Sequence, residues 1–279
     1  MMRKTQFGFT LVEMIVVMVI TGIIGGIVAT FMLTPVRGYT DLARRAELTD
    51  IADSALRRIA RDIRTALPNS VRVTVIGGAT YLEFLPTTGS GRYRAATAPA
   101  GASAGCGSLA ADVLGFTAAD TCFEVLGPMP TLAVGKLVVV YNRGIAGADA
   151  YAGDNTAAIT AVAGQAITIA PTLFPFPSPG NRFQVINTPV TYVCTPAVDA
   201  AGNGTGTLTR WQGYAISAAQ PVALPAGATA ALLANRVSAC TFTYGAIGQR
   251  LALVTLQLTL SDGGENVTLY SSTHISNVP

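Results

Sequence analysis

The chain has 279 residues, of which 50% are hydrophobic and 12% are charged, and its formal net charge is +3. So low a charge and so high a hydrophobic fraction argue against an intrinsically disordered chain. Beyond Leu67 the sequence holds nine basic and nine acidic residues, so this part lacks the basic surplus that nucleic-acid binding requires. We therefore expect a folded protein with a nearly neutral outer part and no nucleic-acid partner.

The first predicted element is an apolar helix behind a short basic leader. From Phe9 to Leu33 the only charge is Glu13 and proline is absent, and this run exceeds the ~20 apolar residues that a helix needs to cross a bilayer. The residues before it carry Arg3 and Lys4, and short basic segments tend to stay cytoplasmic. The sequence therefore predicts one membrane-spanning helix at 9–34, with the rest of the chain on the outer side.

The leader, residues 1–8, differs from an ordinary secretory signal. Such a signal is cut after its apolar core, whereas the possible cut here lies before the core, between Gly8 and Phe9. The apolar helix would then remain in the mature protein.

An amphipathic helical stretch follows at 35–67. Thr34-Pro35 marks a boundary with a kinked continuation, because proline removes a helical hydrogen bond, and Pro68-Asn69 ends the helix. Its apolar residues form one stripe at helical spacing: Leu48, Ile51, Ala52, Ala55, Leu56, Ile59, Ile63 and Leu67. We interpret its arginines as a solvated face or a contact with neighbouring proteins, with an anion-binding patch as the alternative: Arg57, Arg58, Arg61 and Arg64.

Beyond residue 67 the apolar pattern changes to alternation, which predicts a β-rich head at 68–279 with one core. Strands are expected at 71–75, 81–85, 136–141, 166–170, 182–186, 190–194, 207–214, 239–244, 250–260 and 265–275. The last two form a hairpin around Ser261-Asp262-Gly263-Gly264. Stretches rich in Ala, Gly, Ser and Pro are predicted as long loops at 95–111, 144–164, 195–206 and 217–231. The fold class is α+β, a long N-terminal helix packed on an antiparallel sheet.

Four cysteines lie in the outer part: Cys106, Cys122, Cys194 and Cys240. In an oxidising compartment they are expected to form two disulfides, for which three connectivities exist. We favour Cys106 with Cys122, because the closed loop is short, and Cys194 with Cys240, because both border predicted strands. A zinc site is the disfavoured alternative, since the sequence has no C-x-x-C and a single histidine.

Recognisable catalytic motifs are absent from the sequence. It contains no phosphate-binding loop, no H-E-x-x-H and no G-x-S-x-G. The single histidine, His274, is expected to be structural or exposed, and Trp211 and Tyr214 are interpreted as core aromatics, with sugar stacking as the alternative. We expect no enzyme activity, cofactor or metal.

The order of basic leader, Gly8, Phe9-Thr10-Leu11-Val12-Glu13 and apolar run resembles the start of type IV prepilins and of the pseudopilins of type II secretion. The resemblance implies that a prepilin peptidase cuts after Gly8 and methylates the new amino terminus at Phe9. It also implies that Glu13 serves assembly, since a carboxylate inside an apolar helix is costly and is normally paired. A free α-amine at Phe9 is largely cationic at neutral pH, so Phe9 of one subunit would pair with Glu13 of its neighbour.

Both ends of the outer part resemble the larger minor pilins. The residues that carry this likeness are 55–69 and 231–244, with the final hairpin. Among these proteins the O-type subunits of mannose-sensitive haemagglutinin (MSHA) pili are the most similar, and J-type pseudopilins and W-type minor pilins are relatives. The middle of the head, about 87–231, is poorly covered.

The resemblance implies a structural subunit that starts or caps a pilus. It would be single-pass in the inner membrane, with a periplasmic head, before it reaches the pilus on the cell surface. Its partners would be the prepilin peptidase, other major and minor pilins, the inner-membrane assembly platform and the membrane itself. The alternatives are a J-like pseudopilin of a secretion system and a pilus-borne adhesin or ligand-binding module.

Overall fold

The computed structural model describes residues 8–246 and 251–279, except for the side chains of residues 32–37 and 246. The chain forms two compact units, one that ends at Leu48 and one that runs from Thr49 to Pro279. A single helix, α1, spans Leu11–Ile63 and belongs in part to each unit. It runs through Thr34 and Pro35, where a boundary is predicted, because one proline removes a single hydrogen bond and leaves the others in place.

The helix ends at Ile63, four residues before the predicted end at Leu67. The following residues join the sheet instead, since the Leu67 amide donates to the Leu85 carbonyl at 2.7 Å and Ala66 forms a β-bridge with Pro86. The apolar stripe agrees with the prediction from residue 52 onward. Its five helical members there and Leu67, just after the helix, are buried: Ala52, Ala55, Leu56, Ile59, Ile63 and Leu67.

Within the part of the chain that the structure describes, thirteen strands follow the helix. Their bounds are β1 Arg72–Ile76, β2 Ala79–Phe84, β3 Thr87–Tyr93, β4 Asp120–Leu126, β5 Leu137–Val140, β6 Thr156–Ala163, β7 Ala166–Thr172, β8 Arg182–Ile186, β9 Val190–Thr195, β10 Gly206–Gln212, β11 Thr229–Ala246, β12 Leu251–Asp262 and β13 Glu265–Ser276. Seven of them form one sheet in the order β1-β2-β9-β10-β11-β12-β13, and every neighbouring pair is antiparallel. A long apolar helix followed by a largely antiparallel β head fits the α+β fold that the resemblance implies.

The other six strands close into a small barrel in the order β3-β4-β7-β6-β5-β8. The barrel is an insertion in the sheet, because it occupies the chain between β2 and β9, which pair directly with each other from Thr80 with Cys194 to Phe84 with Val190. It has its own core of buried aromatic and aliphatic side chains, including Tyr93, Phe123, Phe174 and Phe183. The head therefore contains separate clusters of buried side chains, although it belongs to one compact unit from Thr49 to Pro279.

Several strands of the barrel lie where the sequence predicts none. β3, β4 and β6 are missed, and β6 lies inside the loop predicted at 144–164. Small residues hide two of these strands: β6 reads TAAITAVA, and β3 contains Gly91, where an added Cβ would meet the Phe183 ring at 2.7 Å. Glycine is needed at Gly91 because an aromatic ring packs directly on the strand.

The start of β11 lies inside the loop predicted at 217–231. The final hairpin is predicted correctly, and it closes with a two-residue turn in which Gly263 and Gly264 have φ values of 55° and 86°. The alternate apolar residues of β12 are fully buried: Ala252, Val254, Leu256, Leu258 and Leu260.

Two disulfides join Cys106 to Cys122 and Cys194 to Cys240, which is the pairing that the sequence favours. The first lies in the barrel, where Cys122 belongs to β4, and the second links β9 to β11 across β10. Each is therefore confined to one β structure of the head.

Removing the Cys194–Cys240 bridge with paired alanines should lower the free energy of unfolding by about 4 kcal/mol, and removing Cys106–Cys122 by about 3 kcal/mol. The order follows from the sequence separations of 46 and 16 residues, because a longer closed loop removes more entropy from the unfolded chain. Urea unfolding of the full-length protein in detergent, followed by fluorescence of the sole tryptophan, Trp211, measures both values. The reverse order would contradict the entropic argument.

Candidate processing and assembly segment

The predicted cleavage site lies outside regular structure. Gly8, Phe9 and Thr10 precede the first helical residue, Leu11, and all three are exposed. Phe9 has 81% of its surface exposed, and an added Cβ at Gly8 would have no atom within 4 Å. The peptide bond between Gly8 and Phe9 is therefore sterically open to a protease.

Thr10 caps the helix. Its side-chain Oγ1 accepts a hydrogen bond from the Glu13 amide at 3.2 Å, and its carbonyl accepts one from the Met14 amide at 3.2 Å. A threonine at this position satisfies one of the amides that a helix start leaves without a partner. This role of Thr10 was not among the predictions, although the spacing Thr10-x-x-Glu13 is the signature of a helix-capping box.

Glu13 lies in the first turn of α1 and is exposed. A negative charge in this turn interacts favourably with the helix dipole. Within residues 8–246 and 251–279 no side chain or amide is bonded to its carboxylate. The carboxylate therefore remains free to bind a group from another molecule.

The apolar part of α1 has the length and composition of a membrane span. Leu11–Phe31 has a mean hydropathy of 2.5, and none of this segment is buried in the protein. Its hydroxyl groups are satisfied within the helix: Thr21 donates to the Val17 carbonyl at 2.6 Å and Thr30 to the Gly26 carbonyl at 2.7 Å. Such internal bonds remove the cost of placing a hydroxyl in hydrocarbon.

A buried charge pair in the head is the strongest electrostatic feature outside this segment. Glu83 is fully buried. Its Oε2 forms an ion pair with the Arg72 guanidinium, 2.9 Å from Nη2, and its Oε1 accepts a hydrogen bond from the Tyr214 hydroxyl at 3.2 Å. Burial raises the pKa of Glu83, and the Arg72 charge partly offsets this rise. Burial also raises the pKa of Tyr214, and the negative charge of Glu83 adds to the effect.

The Arg72 guanidinium joins several parts of the head. It donates to the carbonyls of Ser217 and Ala218 at 2.9 and 2.6 Å, and it stacks on the Tyr151 ring at 3.7 Å. Tyr151 belongs to the connection between β5 and β6 of the barrel. Through Arg72 and Tyr151, this centre holds the barrel against the sheet. Both carboxylate oxygens of Glu83 are occupied by partners, so Glu83 does not resemble a catalytic carboxylate.

The remaining candidates from the sequence lie apart from this segment. Trp211 and Tyr214 are buried, and Trp211 packs against Tyr81 with ring centroids 6.0 Å apart, so both are core aromatics as predicted. His274 is exposed on β13, the edge strand of the sheet. Among the described residues no group of three or more His, Cys, Asp or Glu side chains is arranged to hold a metal ion.

Comparison with known proteins gives one match. Residues 3–29 match the prokaryotic N-terminal methylation motif, and this range includes Gly8, Phe9 and Glu13. No curated protein and no solved structure matches the chain. The motif implies processing by a prepilin peptidase and assembly with other pilins. Together with the apolar helix and the antiparallel β head, it supports a type IV pilin-like protein.

Proposed function

We propose that this chain is a minor pilin, a non-enzymatic structural subunit that starts or caps a type IV pilus of the MSHA kind. It is anchored in the inner membrane by one helix, with its head in the periplasm, until it enters the filament. The observation that carries the proposal is the methylation motif at residues 3–29, placed at the start of an exposed apolar helix. The O-type MSHA assignment rests on the likeness of residues 55–69 and 231–244 to the larger minor pilins.

The first step is cleavage between Gly8 and Phe9, followed by methylation of the Phe9 amine. The exposed position of both residues before the helix supports this step. Cleavage turns Phe9 into a cationic amino terminus, two residues ahead of the helix start.

The second step pairs that amine with Glu13 of a neighbouring subunit. The Glu13 carboxylate is exposed and has no partner in the described structure, so it does not have to give up an internal contact. The attraction between the two charges strengthens where water is excluded, as in a bundle of apolar helices. Because both groups lie at the start of the helix, the pairing also fixes the axial register of adjacent subunits.

A pilus-borne binding module is the second candidate, and the inserted barrel favours it. The barrel is a closed structure with its own core, inserted in a sheet whose strands β2 and β9 already pair with each other. A head that needed only to assemble would not require such an addition. A J-like pseudopilin of type II secretion stays as a further alternative.

Deletion of the gene should sharply reduce surface pili, while the major pilin is still made and processed, because a subunit that starts or caps filaments is needed in few copies. Wild-type protein should restore pili, and Glu13→Gln should not, since glutamine keeps the shape and removes the charge. Asp50→Asn is the matched control, because Asp50 is an exposed acid on the same helix. Pili are counted by electron microscopy, with immunoblots for the level of each variant.

Other outcomes of this experiment would overturn the proposal. Normal piliation with loss of adhesion alone would favour the binding module. Intact pili with loss of exported enzymes would favour the secretion pseudopilin. Full restoration by Glu13→Gln would remove the proposed role of the carboxylate.

A further inference from the structure

The last strand, β13, is an open edge of the seven-stranded sheet. It pairs only with β12, and its twelve residues contain no register shift, no proline and no lysine. These are devices by which proteins usually protect an edge from pairing with other chains. The opposite edge, β1, is a strand of five residues. The structure therefore leaves one long, regular edge unprotected.

The hairpin register identifies the free backbone groups. A two-residue turn makes the pair of Asp262 and Glu265 a hydrogen-bonded pair, and bonded and non-bonded pairs then alternate along the ladder. The residues whose amides and carbonyls face away from β12 are Asn266, Thr268, Tyr270, Ser272, His274 and Ser276. Within the described structure none of these backbone groups bonds to another element.

A positively charged groove runs beside this edge. A cavity of about 360 Å³ is lined by Arg57, Ala60, Arg61 and Arg64 of α1 and by Ser271, Ser272 and Thr273 of β13. Arg57 is paired with Asp53 at 2.6 Å. Arg61 and Arg64 are exposed, and neither forms an ion pair with any described residue.

Thr273 adds an independent sign of an absent partner. Only 3% of its surface is exposed, and its hydroxyl has no hydrogen-bond partner in the described structure. Buried polar atoms are normally satisfied, so such an atom in a groove wall indicates a place where a ligand group binds. The groove thus offers a hydroxyl and two unpaired guanidinium groups beside a row of free backbone groups.

We propose that β13 binds an extended, acidic segment of a neighbouring protein subunit as an eighth strand. The backbone of that segment pairs with the free amides and carbonyls of β13, and its carboxylates face Arg61 and Arg64. Strand addition of this kind takes its affinity from main-chain hydrogen bonds and its specificity from side chains. A second copy of this chain does not provide the negative charge, since its edge strands β1 and β13 together contain one acidic residue, Glu265.

The inference rests on the proposed function in one respect: the neighbouring subunit is then another pilin. The test uses full-length protein in detergent and a blocked, labelled peptide of alternating valine and glutamate, with binding measured by fluorescence anisotropy. A peptide with glutamine in place of glutamate should bind about 10-fold more weakly, because it cannot pair with the arginines.

Variants separate the two halves of the site. Arg61→Glu with Arg64→Glu should weaken binding of the acidic peptide by about 10-fold or more, whereas Arg58→Glu, an exposed arginine of the same helix outside the groove, should not. Ser272→Pro removes one outward amide from the edge and leaves the ladder to β12 intact, so it too should weaken binding about 10-fold. Unchanged Trp211 fluorescence shows that each variant is folded.

Two kinds of result would overturn the inference. Equal binding of the glutamate and glutamine peptides, or no binding of either to the wild-type protein, would exclude an acidic strand. If inorganic phosphate displaces the peptide and Ser272→Pro binds the peptide as well as the wild type does, the groove is an anion site and not a strand-binding site. The peptide assay does not depend on piliation. A negative peptide result therefore does not contradict the proposed role in pilus assembly, and a negative piliation result does not contradict peptide binding.

Discussion

Replacing Gly8 with valine should leave the protein uncut, with residues 1–8 still attached and no methyl group on Phe9. The protease must approach the backbone closely at this peptide bond, and glycine is the residue that permits such an approach. An added side chain at Gly8 meets no atom of the protein within 4 Å, so the fold itself is not disturbed. The effect is expected to be nearly complete, because it acts on the bond that is cut.

Intact-mass analysis of the membrane-extracted protein measures this result. Wild-type protein should lack residues 1–8 and carry one added methyl group at Phe9. Gly25→Val is the matched control, since Gly25 also has open space around it but lies within the helix, and it should be cut normally. Wild-type protein that keeps Met1, or that is cut beyond Leu33, would contradict the prepilin interpretation.

Replacing Arg72 with methionine should lower the free energy of unfolding of the head by about 3–5 kcal/mol, since it leaves the buried carboxylate of Glu83 without its counter-ion. The double variant Arg72→Met with Glu83→Gln should recover a large part of this loss, because no unpaired charge stays buried. Arg58→Met is the control for removing an exposed arginine, and it should cost less than about 0.5 kcal/mol.

The pH dependence has a defined sign. Burial holds the pKa of Glu83 above its ordinary value, so the folded state takes up a proton at a higher pH than the unfolded state does. The contribution of Glu83 to stability is therefore greatest below its unfolded pKa of about 4.3 and falls as the pH rises through the folded value. The positive charge of Arg72 lowers the pKa of Glu83, so the pKa rises further when Arg72 is replaced. The stability of Arg72→Met should therefore fall more steeply with rising pH than that of the wild type.

Urea unfolding between pH 5 and 8, followed by Trp211 fluorescence, tests the magnitude and the sign. A cost for Arg72→Met no greater than that for Arg58→Met would contradict the role of the charge pair. A stability that rises with pH in Arg72→Met, but not in the double variant, would contradict the desolvation of Glu83.

The two ends of the protein were predictable from local patterns in the sequence. The segment around Gly8, Phe9 and Glu13 was recognisable because its signal is local, an uncharged run of membrane length directly after a short basic leader. The stripe of α1 and the hairpin of β12 and β13 were also predictable, because alternation and helical spacing depend on neighbouring residues alone. Local patterns of this kind do not require knowledge of what packs on top of them.

The middle of the head depends on contacts between segments that are distant in sequence. The barrel strands β3 and β6 consist largely of Gly, Ala, Ser and Thr, and at Gly91 of β3 the Phe183 ring fills the space that a side chain would occupy. Hydrophobic periodicity is weak in such strands, so the sequence resembled a loop. The end of α1 at Ile63 was likewise set by distant residues, since the backbone of Leu67 pairs with Leu85.

The same reason explains which parts of the candidate sites were hidden. Glu83 looked like an ordinary strand residue. Its partner Arg72 lies opposite it in the β1–β2 hairpin, but Tyr214 is 131 residues away in sequence, and only the fold brings it to the carboxylate. The groove beside β13 arises from helix residues 57–64 and strand residues 271–273, and the sequence left open whether its arginines were solvated. Contacts between distant segments carry no local pattern, and only the folded chain shows them.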